Sequence, residues 1–117
     1  MRERREAPRL TLRARFRADV VSDEPEKASN GDHCAGWTSD VSFGGLHLSS
    51  RRSLPLHSMI DLEVSCTHPA ESLTIRGRVG WVREEADKMH AIGVFLDAAE
   101  KSDLVAWRRM LDRRGIS

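Results

Sequence analysis

Aromatic residues are scarce in this sequence. There is no tyrosine, and tryptophan and phenylalanine occur three times each. That shortage speaks against a general single-stranded nucleic-acid track, which stacks successive bases on a succession of rings. Cysteine is scarcer still, with only Cys34 and Cys66. Together with His33 and His68 they offer four possible metal ligands, but the C-x2-4-C pair of a zinc knuckle is missing, so no metal site is expected. In a reducing compartment the two cysteines read as free, partly buried thiols. Long apolar runs are absent too. None approaches the roughly 20 residues that cross a bilayer, so no membrane insertion is expected. The opening MRERREAPR has no apolar segment behind it, so no secretory signal is expected and the cytoplasm is the default compartment. A formal net charge of +1 gives little bulk attraction for a polyanion.

What is present fits one soluble domain. The chain has 117 residues, 39% hydrophobic and 32% charged, enough for a modest core. Its length and initial methionine are read as those of a whole chain. Charge is unevenly placed. Residues 1–17 hold seven arginines against Glu3 and Glu6. Arginine suits bidentate phosphate contacts and stacking on flat rings; a solvated basic tail is the alternative reading of the same residues.

Period-two alternation predicts most of the elements. In residues 10–21, Leu12, Ala14, Phe16, Ala18 and Val20 share one face, and Arg13, Arg15 and Arg17 the other. These arginines read as the outer face of the first strand, with an extended phosphate-binding surface as the lesser alternative. Residues 22–36 are polar and turn-rich, and read as a long mobile loop. Two short strands then flank a tight Gly44-Gly45 turn. Residues 58–66 alternate again, with Ile60, Leu62 and Val64 inward. In the next strand Leu73, Ile75, Gly77, Val79 and Trp81 share one parity, with Trp81 in the core or at the barrel rim. In the last strand both faces look partly covered. The tail changes period: Leu104, Val105, Trp107, Met110 and Leu111 mark an amphipathic helix, with Ser102 or Asp103 as its cap, Gly115 as its end and Trp107 as its contact with the sheet. Short strands followed by one helix predict a mostly β fold, an antiparallel barrel or sandwich with a helix packed on it. Glycines 77, 80 and 93 suit the bends of a small barrel.

Two motifs carry the functional reading. Arg5-Glu6-Ala7-Pro8-Arg9 is an RxxxR just before the first strand. Asp40-Val41-Ser42-Phe43-Gly44-Gly45 is a DxSxxG at a turn between strands. Each alone is common; their order and spacing together are specific. With the Gly77–Trp81 strand and the Ile92-Gly93-Val94-Phe95 strand, they make the chain resemble the PilZ family of cyclic di-GMP receptors over nearly its whole length. The resemblance implies a six-stranded antiparallel β-barrel with a C-terminal α-helix. It also implies a ligand site formed by Arg5, Arg9, Asp40, Ser42 and Gly45, with Arg4 pairing with or stacking on a second ligand molecule. The chemistry suits such a ligand. Guanidinium groups pair with phosphate oxygens and with guanine O6 and N7. A carboxylate at position 40 accepts from guanine N1 and N2, the Ser42 hydroxyl donates to a phosphate or to backbone, and Gly45 permits a positive φ or a close approach.

The expectation is therefore a binding domain, not an enzyme, with cyclic di-GMP as ligand and no cofactor. Asp40, Ser42 and His47 sit within eight residues on one turn, with no strand-to-helix elbow, and so do not read as a hydrolase triad. Residues 1–9 are expected to be a flexible, ligand-wrapping segment and residues 10–117 the barrel with its helix. Ligand binding orders the segment, and the signal passes to an unidentified protein partner or to a second copy in a homodimer. Two alternatives stand beside this: a PilZ-like interaction scaffold that does not bind the nucleotide, and a basic nucleic-acid-binding barrel.

Overall fold

The computed structural model describes residues 10–21, 33–67, 70–96 and 104–115. Seven strands follow in chain order: β1 (Leu10–Thr11), β2 (Arg15–Val20), β3 (His33–Val41), β4 (Gly45–Ser50), β5 (Met59–Thr67), β6 (Ala70–Glu84) and β7 (His90–Leu96). Among the described residues one α-helix, α1 (Leu104–Arg113), follows the strands. All pairings are antiparallel. Six strands run β3-β2-β5-β6-β7-β4, and the β3–β4 pairing closes them into a barrel; β1 adds a short pairing on β3. Closure leaves the six barrel strands no free edge.

Alternation builds this barrel as expected. Ala14, Phe16 and Ala18, then Ile60, Leu62 and Val64, then Leu73, Ile75 and Val79 all point into one buried core. Leu46, Leu48, Ile92 and Val94 complete it. The helix covers one side with Trp107, Met110 and Leu111, all fully buried. Val105 departs from the expected stripe and is 66% exposed, because two residues of helical rotation carry it far around from Trp107. Gly115, with φ of 99°, ends the helix, its N–H donating to the Asp112 carbonyl at 3.1 Å. The expected caps Ser102 and Asp103 lie outside the described residues.

Three further expectations need correction, and each has a local cause. The first strand is two pieces rather than one. Thr11 faces Asp40 while Arg15 faces Trp37, so β1–β2 carries one residue more than β3 across the gap. The buried Thr38 hydroxyl fills that gap, accepting from Ala14 N–H at 2.9 Å and donating to the Leu12 carbonyl. Second, the loop after β2 is shorter than read. His33–Gly36 already belong to β3, where Cys34 is buried. Third, the parity of β6 breaks. Val79 faces Val94, but Trp81 faces Gly93, so Gly80 is an extra residue, a β-bulge. Beyond it Val82, not Trp81, packs toward the core, and Trp81 stands on the outer wall. Both cysteines are free and buried.

Candidate ligand site

The DxSxxG turn sits at the end of the β3–β4 hairpin, and two irregularities shape it. A register shift between Thr38 and Val41 gives β3 an extra residue beside Asp40. Such bulges bend a strand and re-aim a side chain; Val41 is buried while the Asp40 side chain keeps 41% of its exposure. The turn itself is tight. Ser42 donates both its backbone N–H (2.9 Å) and its hydroxyl (3.2 Å) to the Gly45 carbonyl. Gly45 is required by close approach rather than by a positive φ: a Cβ there would lie 2.5 Å from the Val94 carbonyl oxygen of β7. The approach is to the neighbouring strand.

These residues line a cleft of about 150 Å³ with His47, Trp81 and Phe95. The rings are placed by glycines. On adjacent strands His47 pairs with Gly93 and Gly93 with Trp81. With no side chain between them, the His47 and Trp81 rings meet edge to face at 5.1 Å and 74°. A Cβ on Gly93 would lie 2.1 Å from Trp81 Nε1, and one on Gly80 would lie 2.0 Å from the Phe95 ring. Each aromatic thus lies over a glycine of the neighbouring strand, an exchange known to repair the lost packing of strand glycines. The Arg83 guanidinium sits 5.4 Å from the Trp81 centroid, within cation–π range. His47 Nδ1 is 3.9 Å from an Asp40 carboxylate oxygen.

Of the expected ligand residues, Asp40, Ser42 and Gly45 come together in this cleft. Arg4, Arg5 and Arg9 lie outside the described residues. Leu10, which follows Arg9 in the chain, pairs with Val41, and Thr11 pairs with Asp40. His47, Trp81 and Phe95 were not expected here. The strand-opposed parity of His47 against Leu46 and Leu48 was a signal for the first; Trp81 needed the bulge at Gly80. The Ser42 hydroxyl is turned to the Gly45 carbonyl. From the far side, the indole N–H of Trp107 donates to the Ser42 carbonyl at 3.0 Å, tying α1 to the turn.

The PilZ domain family model matches residues 3–110. The chain belongs to the PilZ family. PilZ domains are binding and adaptor domains, generally cyclic di-GMP receptors. Solved PilZ proteins share the fold at low identity. The inhibitor of motility MotI/DgrA of Bacillus subtilis aligns at 14% identity and a TM-score of 0.62, over 96% of this chain and 54% of that one. This chain thus spans about half the length of MotI/DgrA. The PilZ domain of CeSA from a cellulose-synthesizing bacterium aligns at 12% identity and a TM-score of 0.59, over 92% of this chain and 99% of that one. No curated protein sequence matches the chain. Among the described residues no helix is long and apolar enough to cross a membrane.

Proposed function

We propose that this PilZ domain is a cyclic di-GMP receptor that signals through protein contacts, not through catalysis. The observation that carries the reading is the pairing of β1 with β3 at Asp40 and Val41. It brings the chain that leads directly from the RxxxR motif to the flank of the DxSxxG turn. Asp40 then accepts from the N1 and N2 donors of one guanine, and Trp81 offers its ring as a wall. Arg5 and Arg9 supply the cations for the phosphates and for guanine O6 and N7.

The size of the cleft supports a wrapped ligand. About 150 Å³ is well below the roughly 300–1,000 Å³ of sites that engulf a small molecule. It suits one flat base and leaves the phosphates and second base outside. Residues 1–9 cover that remainder, with Arg4 reaching a second ligand molecule, and the changed surface is the output.

Isothermal titration of cyclic di-GMP into the wild type and the Arg5→Ala, Arg9→Ala and Asp40→Ala variants tests this. Micromolar or tighter binding, lost in all three, is expected. Unchanged affinity in Arg9→Ala refutes the wrapping mechanism. No binding by the wild type leaves an interaction scaffold that does not use the nucleotide.

A further inference from the structure

The outer wall of the barrel carries a feature that the cleft does not use. Trp37 lies on β3, between Arg15 of β2 and Ser49 of β4. It points outward and is 38% exposed, while its neighbour Thr38 points in and is buried. The core closes beneath it, and the ring lies outside that core, on the outer wall of the barrel. Its ring contacts are arginines: the Arg13 guanidinium lies 4.7 Å from the ring centroid and that of Arg15 at 5.3 Å. A hollow flanks the ring on either side. One, of about 450 Å³, is bordered by Arg15 and Arg17 with Glu63. The other, of about 570 Å³, is bordered by Arg51 and Arg52. Arg17 also contacts Asp19 at 3.6 Å, with both side chains more than half exposed.

We propose that this face, centred on Trp37, docks an acidic protein segment that presents an apolar or aromatic side chain. Arg13 and Arg15 lie against the ring and Arg17, Arg51 and Arg52 border its two hollows, while Glu63 is the one carboxylate among the described residues bordering either hollow. The surface therefore complements carboxylates. Tryptophan and arginine are also the residues that dominate binding energy at protein interfaces, where a large ring is buried among desolvated partners. Nucleic acid fits less well. A strand of bases needs several rings in succession, and among the described residues these two hollows offer only the Trp37 indole and the smaller His33 imidazole as exposed rings, Phe16 being buried. The proposal is independent of cyclic di-GMP binding, since no residue of this face lines the cleft.

The test uses the full chain and a fluorescein-labelled Asp/Glu-rich peptide with one central phenylalanine, followed by anisotropy. A labelled oligo-dT of similar length runs alongside. Binding of the peptide is expected, weakened about tenfold or more by Trp37→Thr and by a combined Arg13→Gln/Arg15→Gln variant. Threonine keeps the β propensity of the strand, and circular dichroism checks the fold. Cyclic di-GMP titration of Trp37→Thr is expected to match the wild type, which separates this surface from the ligand site. Three outcomes overturn the proposal: no peptide binding; peptide binding indifferent to Trp37→Thr, which reports bulk charge alone; or tighter, Trp37-dependent binding of oligo-dT, which assigns the face to nucleic acid. Should Trp37→Thr lower the thermal midpoint, the arginine variant decides.

Discussion

Gly93→Ala is the sharpest test of how the cleft wall is built. The added methyl carbon lands 2.1 Å from Trp81 Nε1 and 2.2 Å from Cε2. Ordinary contact begins near 3.4 Å, so the indole must retreat by about 1.3 Å or the strands must part. β7 is held on both sides by β4 and β6, whereas Trp81 is only half-buried, so the indole moves. Overpacking of this kind costs about 1–3 kcal/mol, a fall in Tm of roughly 4–12 °C for a domain of this size. The cost lies almost wholly in one pair of side chains, and a double-mutant cycle isolates it. In a Trp81→Ala background the same Gly93→Ala change no longer meets the three atoms that crowd it most, all of them in the Trp81 ring, and costs about 0.5 kcal/mol or less. Urea denaturation of the four proteins gives the coupling energy, expected at about 1–2 kcal/mol. Equal costs of Gly93→Ala with and without Trp81 would refute the argument that the glycine exists to seat the indole.

Three further outcomes follow from contacts described above. Trp107→Phe keeps a ring in the core but removes the donor to the Ser42 carbonyl; a loss of about 1–3 kcal/mol and weaker cyclic di-GMP binding are expected, by denaturation and calorimetry. Thr38→Val preserves shape while stranding Ala14 N–H and the Leu12 carbonyl; a cost of about 2 kcal/mol or more is expected, with hydrogen exchange accelerating at Ala14. Burial pushes both the Cys34 and Cys66 thiols above their usual value of 9.0. Native protein therefore holds these protons more tightly than unfolded chain. The resulting stability is fully present below about pH 9 and is lost as pH rises through the raised native values. A pH series of denaturation midpoints checks the sign, and both thiols should resist a disulfide reagent at neutral pH until the protein unfolds.

The alternation of apolar and polar residues made most of the barrel legible, because each strand buries one face and a one-residue slip would expose it. The helix was legible for the same reason at another period, with Trp107, Met110 and Leu111 in the core as expected. What escaped were the insertions. A bulge adds a residue without leaving a mark in composition, so Trp81 was assigned by counting straight through Gly80 and came out on the wrong face. The gap between β1 and β2 was hidden likewise, since a threonine hydroxyl stands in for a backbone partner and the apolar pattern runs on through it. At the candidate site, Asp40, Ser42 and Gly45 were legible from the motif. The reason for Gly45 was not, because the backbone that crowds it belongs to a strand some fifty residues later in the chain, at Val94.

The hydrogen bond from Trp107 to Ser42 joins two equilibria that could otherwise run separately: the seating of the helix and the closure of the turn. Linked equilibria are reciprocal. Whatever favours the closed turn holds the helix down, and whatever grips the helix favours the closed turn by the same factor. On the proposed function, in which this turn borders the ligand, the helix becomes a handle on affinity at the opposite side of its own indole. On that same proposal, a protein that seized its exposed face, at Val105, is expected to change ligand affinity at the cleft without coming near it.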